Sequence, residues 1–256
     1  MKQLGILALS LLFATACAAA WTVPDETLRY AVRYKWGLID ANAGVATLTT
    51  ANDPAAGTFT ATLSGKSVDL LGHYYAATDT MTGTIMADTF RPVYSERITR
   101  ESGEFSIETI TYDHSGDTSE GRIVKTLPDG KVLRSRVSHY AGGLTLDLLA
   151  VFYYIRQIPY GEMNPGETVT VNIFAGKTPE TLTVTYRGRE TRPVEGSEAA
   201  TFAISLDFSA EGRPGSADSM DIWISDDSAR VPLLIDGSLK IGHIECSLLG
   251  EEAAAL

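Results

Sequence analysis

Short segments of alternating apolar and polar residues recur along the chain, and they restrict its fold more than any other feature. In residues 28–36, Leu, Tyr, Val, Tyr and Trp occupy every second position, while Arg29, Arg33 and Lys35 lie between them. This period of two is typical of a strand that buries one face. About a dozen such segments follow at intervals of about 8–12 residues, separated by turn sequences such as Pro-Asp-Gly at 128–130. The spacing predicts an all-β fold, an antiparallel, strongly curved sheet or open barrel.

One segment, at about 144–157, departs from this pattern. It is apolar on every side of a helical projection, apart from Asp147 near its start and Arg156 near its end. A helix that is apolar all round is buried, and both charges lie where the helix dipole favours them. Because a buried cation needs a partner, Arg156 should meet an acidic side chain, a carbonyl group or a ligand. We therefore expect one buried helix that acts as a plug or lid for the sheet.

The first twenty residues are typical of a secretory signal peptide. Lys2 precedes an apolar stretch at 4–13 that is too short to span a bilayer, and small residues follow it. Cleavage before Trp21 would leave one β-rich domain, residues 21–256, with a short disordered C-terminal tail and no transmembrane helix. Cys17 raises the alternative of lipoprotein processing with acylation of that cysteine, although Ala14 stands where such signals usually have Leu. The expected location is the periplasm or the periphery of the outer membrane.

Charge and composition exclude several partners and sites. The chain has 21 Lys and Arg against 32 Asp and Glu, and a net charge of −11 argues against nucleic acid. Loss of Cys17 with the leader would leave Cys246 alone, so no internal disulfide is expected. The four histidines form no close pair and no H-E-x-x-H motif, so neither a metal site nor a cofactor is predicted. Because no catalytic motif is recognisable, the sequence favours a binding protein over an enzyme.

Motifs spread over residues 26–249 together resemble a known family. They are ETLRY at 26–30 leading to Trp36-Gly37 and Ala43-Gly44, the Tyr153-x-x-Arg156 end of the helical segment, DIWISDD at 221–227, Arg230-Val231-Pro232 and Ile241-Gly242. The family they resemble is domain-of-unknown-function family 3108, which consists of exported bacterial proteins without an established activity. The resemblance implies a signal peptide, a β-rich domain and an envelope location. The plan is also similar to that of the open-barrel lipoprotein carriers of the periplasm, which is a likeness of fold alone.

Aromatic residues offer a candidate binding site, because ligand sites are mostly apolar with a few fixed polar groups. An arginine among them would suit an anionic head group. The alternative is that these aromatic residues form only the core. The predicted ligand-binding residues are Trp36, Tyr74, Tyr75, Arg91, Phe152, Tyr153, Arg156 and Trp223.

Export, the missing catalytic motif and the buried helix lead to a first functional hypothesis. It is a non-enzymatic protein of the cell envelope that binds an amphipathic or lipid-like ligand on the concave side of the sheet. One alternative is an interaction or scaffold module that binds other envelope proteins, which predicts a large exposed apolar patch. The other is an enzyme acting on glycans, which needs carboxylates or a histidine converging in one cleft.

Overall fold

Fifteen strands form one sheet in the computed structural model, which describes residues 22–67, 78–101, 104–140, 143–174, 179–194, 197–210, 219–238 and 242–250. The sheet curves into a nearly closed, barrel-like shape, so the all-β prediction is confirmed with more strands than expected. In chain order the strands are β1 (Glu26–Trp36), β2 (Ile39–Asp53), β3 (Thr58–Ser67), β4 (Thr78–Met86), β5 (Pro92–Glu101), β6 (Glu104–Asp113), β7 (Thr118–Thr126), β8 (Val132–Tyr140), β9 (Thr145–Asp147), β10 (Thr168–Phe174), β11 (Glu180–Val194), β12 (Ser197–Ala210), β13 (Ser219–Ser225), β14 (Pro232–Ser238) and β15 (His243–Leu248).

The sheet consists of two meanders that meet at the first and last strands. β1 to β8 follow one another in order on one side, and β15 back to β9 follow on the other. β1 and β15 pair antiparallel, with Tyr30 opposite Leu248. Neighbouring strands are antiparallel except β9 and β10, which are parallel. The two edges of the sheet are therefore β8 and β9.

Side chains close the barrel between the two meanders. Phe174, at the end of β10, has its ring centroid 5.0 Å from that of Tyr112 on β6 and 5.1 Å from that of His139 on β8. Gly121 on β7 leaves room for it, since a Cβ there would lie 3.3 Å from the Phe174 ring. The buried residues that meet here are Tyr112, Ile123, Val137 and Phe174, which we call the seam cluster.

The predicted buried helix is present, but it begins later than 144 and spans Leu148–Gln157 (α1). The preceding residues form β9 instead, because they pair with β10. Asp147 is the N-cap of α1, and its Oδ1 accepts a hydrogen bond from the amide of Ala150 at 2.7 Å. The helix stops before Pro159, which disfavours helical backbone in the residue before it, and a 3-10 turn follows at Tyr160–Glu162.

α1 packs inside the barrel, against the inner face of the first strands. The ring of Tyr153 lies 5.1 Å from that of Phe59 on β3, and its hydroxyl forms a hydrogen bond with Thr50 on β2. The ring of Phe152 lies 6.5 Å from that of Tyr30 on β1. One large buried cluster joins the helix to both meanders and includes Leu48, Ile85, Leu182, Ile204 and Ile224. The helix is therefore enclosed by the sheet, as its apolar surface requires.

A glycine on β4 lets the start of α1 approach the sheet. A Cβ at Gly83 would lie 3.1 Å from Leu149 Cδ1 and 3.6 Å from Asp147 Oδ2. Gly65, on the neighbouring strand β3, has no such constraint, since a Cβ there would meet nothing within 4 Å. Only the first of these two glycines is expected to matter for packing.

We expect Gly83→Val to lower the free energy of unfolding by about 1–3 kcal/mol, because the added side chain would push α1 from the sheet. Gly65→Val should leave this free energy unchanged or raise it, since valine favours strands. Urea unfolding of the two variants and the parent chain measures the difference. Equal effects of the two substitutions would contradict the packing role of Gly83.

Candidate functional site

Arg156, at the C-terminal end of α1, has the largest fully buried side chain in the described part of the chain. Its Nη1 and Nη2 donate to the two carboxylate oxygens of Glu26 at the start of β1. Its Nε donates to the carbonyl of Arg230 at 2.9 Å, and Nη2 donates to the carbonyl of Ala229 at 3.0 Å. Of the three kinds of partner expected from the sequence, the structure shows an acidic side chain and carbonyl groups. These contacts tie the helix to β1 and to the loop after β13.

That loop has a conformation that presents its carbonyl groups to the helix. Asp227 Oδ1 accepts hydrogen bonds from the amides of Ala229 at 2.9 Å and Arg230 at 3.1 Å. Arg230 has a φ of 52°, which is uncommon outside glycine. Its Nη1 donates in turn to the carbonyl of Ile158 at 3.0 Å, just after α1. The loop and the helix end therefore hold each other in place.

Arg156→Met should lower the free energy of unfolding by about 3–5 kcal/mol, because it leaves Glu26 without its buried partner. The double variant Glu26→Leu/Arg156→Met should recover much of this loss. Arg33→Met, which breaks the exposed pair with Asp40, should change little. Urea unfolding tests all three, and a small effect of Arg156→Met would contradict the anchoring role.

The predicted site residues do not all come together. Phe152 and Tyr153 flank Arg156, whose guanidinium carbon lies 5.8 Å and 5.6 Å from the two ring centroids. Trp36 is 55% exposed at the tip of the β1–β2 hairpin, and Arg91 lies in the turn between β4 and β5. Tyr74, Tyr75 and the lipidation candidate Cys17 lie outside the described residues.

Trp223 lies on the outer face of the sheet. Its neighbours Ile222 and Ile224 on β13 point into the main core, so the alternation of the strand turns Trp223 away from it. The indole Nε1 donates to Glu190 at 2.9 Å, and the guanidinium of Arg192 lies 4.0 Å from the ring centroid. These contacts cover the ring, which is 6% exposed.

A cavity of about 120 Å³ lies at the N-terminal end of α1, next to the seam cluster. Strand register forms it, because Gly83, Ser95, Ile110 and Ile123 lie opposite one another across β4 to β7. We call it the seam cavity. Its apolar lining residues are Met81, Ile110, Ile123, Leu148 and Phe174, and its polar ones are Ser95, Glu96, Arg97, Glu108, Tyr112 and Asp147.

Asp147 is the most deeply buried charged group in the wall of the seam cavity, with 4% of its surface exposed. Its Oδ1 caps α1, whereas Oδ2 has no hydrogen-bond partner within the described residues. Burial raises the pKa of this carboxyl to about 6, although the amides of Ala150 and Leu149 oppose the shift. Folding thus leaves one oxygen of a buried carboxyl unpaired at a cavity wall, where a ligand could bind it.

Two hydroxyl groups share the seam cavity with Asp147. Ser95 Oγ and the Tyr112 hydroxyl lie 2.9 Å apart and share a hydrogen bond. Burial and the negative charge of Asp147 both raise the pKa of Tyr112, so this phenol stays protonated. Arg97, whose side chain is 51% exposed and paired with Asp79 at 3.1 Å, lies toward the solvent. The cavity therefore combines polar oxygens, an apolar wall and an exposed rim.

The raised pKa of Asp147 predicts how stability depends on pH. The carboxyl of Asp147 has a pKa of about 6 in the folded chain, against an ordinary pKa of 3.8. The bound proton therefore stabilises the folded chain fully below pH 3.8, and this stabilisation is lost as the pH rises through the pKa of about 6. Asp147→Asn keeps a capping oxygen and removes the buried charge. We expect its free energy of unfolding to exceed that of the parent by up to about 3 kcal/mol at pH 7.5.

Urea unfolding between pH 4 and pH 8 measures this difference, and the two chains should converge near pH 4. Asp207→Asn, at an exposed position on β12, is the control and should follow the parent at every pH. A constant difference between Asp147→Asn and the parent would contradict the buried-charge explanation.

The other reactive side chains are weaker candidates for a functional site. Among the described residues, no group of three His, Cys, Asp or Glu side chains could hold a metal ion. Burial raises the pKa of the Cys246 thiol to about 11, which disfavours the nucleophilic thiolate. His114 is held by Ser119 and by the carbonyl of Pro92, and burial lowers its pKa. The described helices include none with the length and apolar character needed to cross a bilayer.

The family model for the protein of unknown function DUF3108 matches residues 29–248. No curated protein matches the chain.

Two solved structures are similar to the chain. One is a β-barrel-like protein of the domain of unknown function DUF1849 from Brucella abortus, with 10% identity, a TM-score of 0.59, and coverage of 87% of this chain and 94% of that one. The other is a candidate exported protein with a YmcC-like fold from Bacteroides fragilis, with 8% identity, a TM-score of 0.32, and coverage of 90% and 97%. The first likeness shows a shared fold alone, and the second carries no argument.

Proposed function

The chain belongs to the DUF3108 family of proteins of unknown function, and we propose that it is an exported envelope protein that binds an amphipathic ligand without converting it. The observation that carries this proposal is the seam cavity. Its wall combines apolar residues with the polar groups of Ser95, Tyr112 and Asp147. Such a wall suits a ligand with a polar end and an apolar body.

The size of the cavity limits what it holds. Its volume of about 120 Å³ is smaller than the roughly 300–1,000 Å³ of sites that enclose a whole small molecule. The cavity would therefore receive one end of a ligand, and the remainder would lie toward the exposed rim near Arg97. This differs from the site expected from the sequence, where Phe152, Tyr153 and Arg156 were to face the ligand.

Binding without catalysis is proposed, although Glu96, Glu108 and Asp147 all line the cavity, because two of these three carboxyl groups are already engaged in hydrogen bonds. The lining residues include neither histidine nor cysteine. One oxygen of Asp147 is engaged as the helix cap, and Glu96 accepts a hydrogen bond from Tyr94 at 3.4 Å. A binding role needs only the unpaired oxygen and the apolar wall.

An interaction module is the second candidate, and the β1–β2 hairpin favours it. Trp36 is 55% exposed and Leu38 is fully exposed at its tip. Exposed aromatic residues are enriched at protein interfaces. This function would use the outside of the barrel and would leave the seam cavity without a ligand.

Native mass spectrometry of protein gently purified from its own host tests the proposed function. We expect a bound small molecule on the parent chain. Met81→Trp, which fills the cavity, should lose that molecule. Thr80→Trp, on the opposite face of the same strand, should keep it. A parent chain without a bound molecule, or retention in Met81→Trp, would overturn the proposal.

The denatured mass of the same preparation tests export. Cleavage before Trp21 gives an unmodified mature chain, whereas lipoprotein processing leaves an acylated Cys17 at the new N-terminus. Both masses agree with export, and an uncleaved chain would contradict it.

A further inference from the structure

The unpaired oxygen of Asp147 indicates which kind of group the polar end of a ligand carries. Oδ2 belongs to a carboxyl that is 4% exposed and has no hydrogen-bond partner in the described chain. A carboxylate oxygen accepts hydrogen bonds, so its partner must be a donor. Leaving it unpaired would cost the folded chain stability.

The number of acceptors in the cavity matches one donor in particular. Asp147, Ser95 and Tyr112 all line the cavity, and the two hydroxyl groups, which share a hydrogen bond with each other, can each still accept one more. A primary ammonium has three N–H donors. It also neutralises the carboxylate charge, which an alcohol does not, and charge-assisted hydrogen bonds are the stronger ones.

The charges around Asp147 favour a cation as well. β4 contributes Asp79, which pairs with Arg97 of β5 at 3.1 Å, so the charge of that arginine is already balanced. β5 also carries Glu96, and β6 carries Glu108 and the neutral Tyr112. The other titratable side chains of these strands do not line the cavity; among them, Lys125 of β7 lies opposite Glu108 in the register, and the ring of His139 of β8 packs on Phe174. The groups that line the cavity are therefore acidic on balance.

Given the binding function proposed above, we propose that the ligand carries a primary ammonium on a short apolar chain, that Asp147 binds this ammonium, and that mild acidification releases it. The apolar chain lies against Met81, Ile110 and Phe174. Protonation of Asp147 removes the attracting charge, and the pKa of about 6 sets the pH range of release. Binding of the ligand at pH 7.5 and its release at pH 5 therefore both follow from the ionisation of Asp147.

Calorimetric titration of the mature chain with n-hexylammonium, 1-hexanol and hexanoate tests the inference. We expect n-hexylammonium to bind more tightly than the other two. Its affinity should fall about tenfold between pH 7.5 and pH 5, as the ionised fraction of a group with a pKa of about 6 falls. Asp147→Asn should bind it about tenfold more weakly at pH 7.5 and without pH dependence. Asp207→Asn, with the same loss of charge at an exposed position, should behave as the parent does.

The outcomes separate this inference from the function on which it depends. Equal binding of the ammonium and the alcohol, or unchanged binding by Asp147→Asn, would overturn the role of Asp147. A molecule that native mass spectrometry finds on the parent but not on Met81→Trp would then still support the cavity as a binding site. Loss of binding by Asp147→Asn counts only if its urea unfolding shows a folded chain, which the retained cap predicts.

Discussion

The burial of a helix without a polar face is the constraint on which the rest of the structure depends. α1 must be enclosed, and its last turn brings Arg156 into the interior with it. The guanidinium is satisfied by Glu26 from one meander and by carbonyl groups of the other. Because buried ion pairs contribute little net stability, the value of this one lies in fixing the helix at a single position. That position holds the N-terminal end of α1, and with it Asp147, beside the seam.

Asp147 combines two roles that have opposite effects on stability. As the N-cap it stabilises α1, and asparagine would do this equally well. As a buried carboxyl with an unpaired oxygen it destabilises the folded chain at neutral pH, as its raised pKa shows. Local features that oppose stability are concentrated at functional sites. This contrast distinguishes the seam cavity from an ordinary packing defect.

The sequence predicted the parts that depend on local pattern. The period of two identified the strands, and the same alternation in β13 could have placed Trp223 on the outer face. The helix was identified, but it starts at Leu148 and not at about 144, because residues 145–147 pair with β10. A partner for Arg156 was expected, although nothing local points to Glu26. The seam cavity depends on the register of four strands, which no single segment reveals.

The adjacency of β1 and β15 has a consequence for how the chain reaches this state. Tyr30 faces Leu248, so the first strand stays an open edge until almost the whole chain is available. Such long-range pairing makes folding slow, because the loop must close before contacts compensate its entropy. A chain that is exported, as we propose, cannot complete this sheet while its last strand is still missing. Pairing of β15 with β1 would then be the step that completes folding.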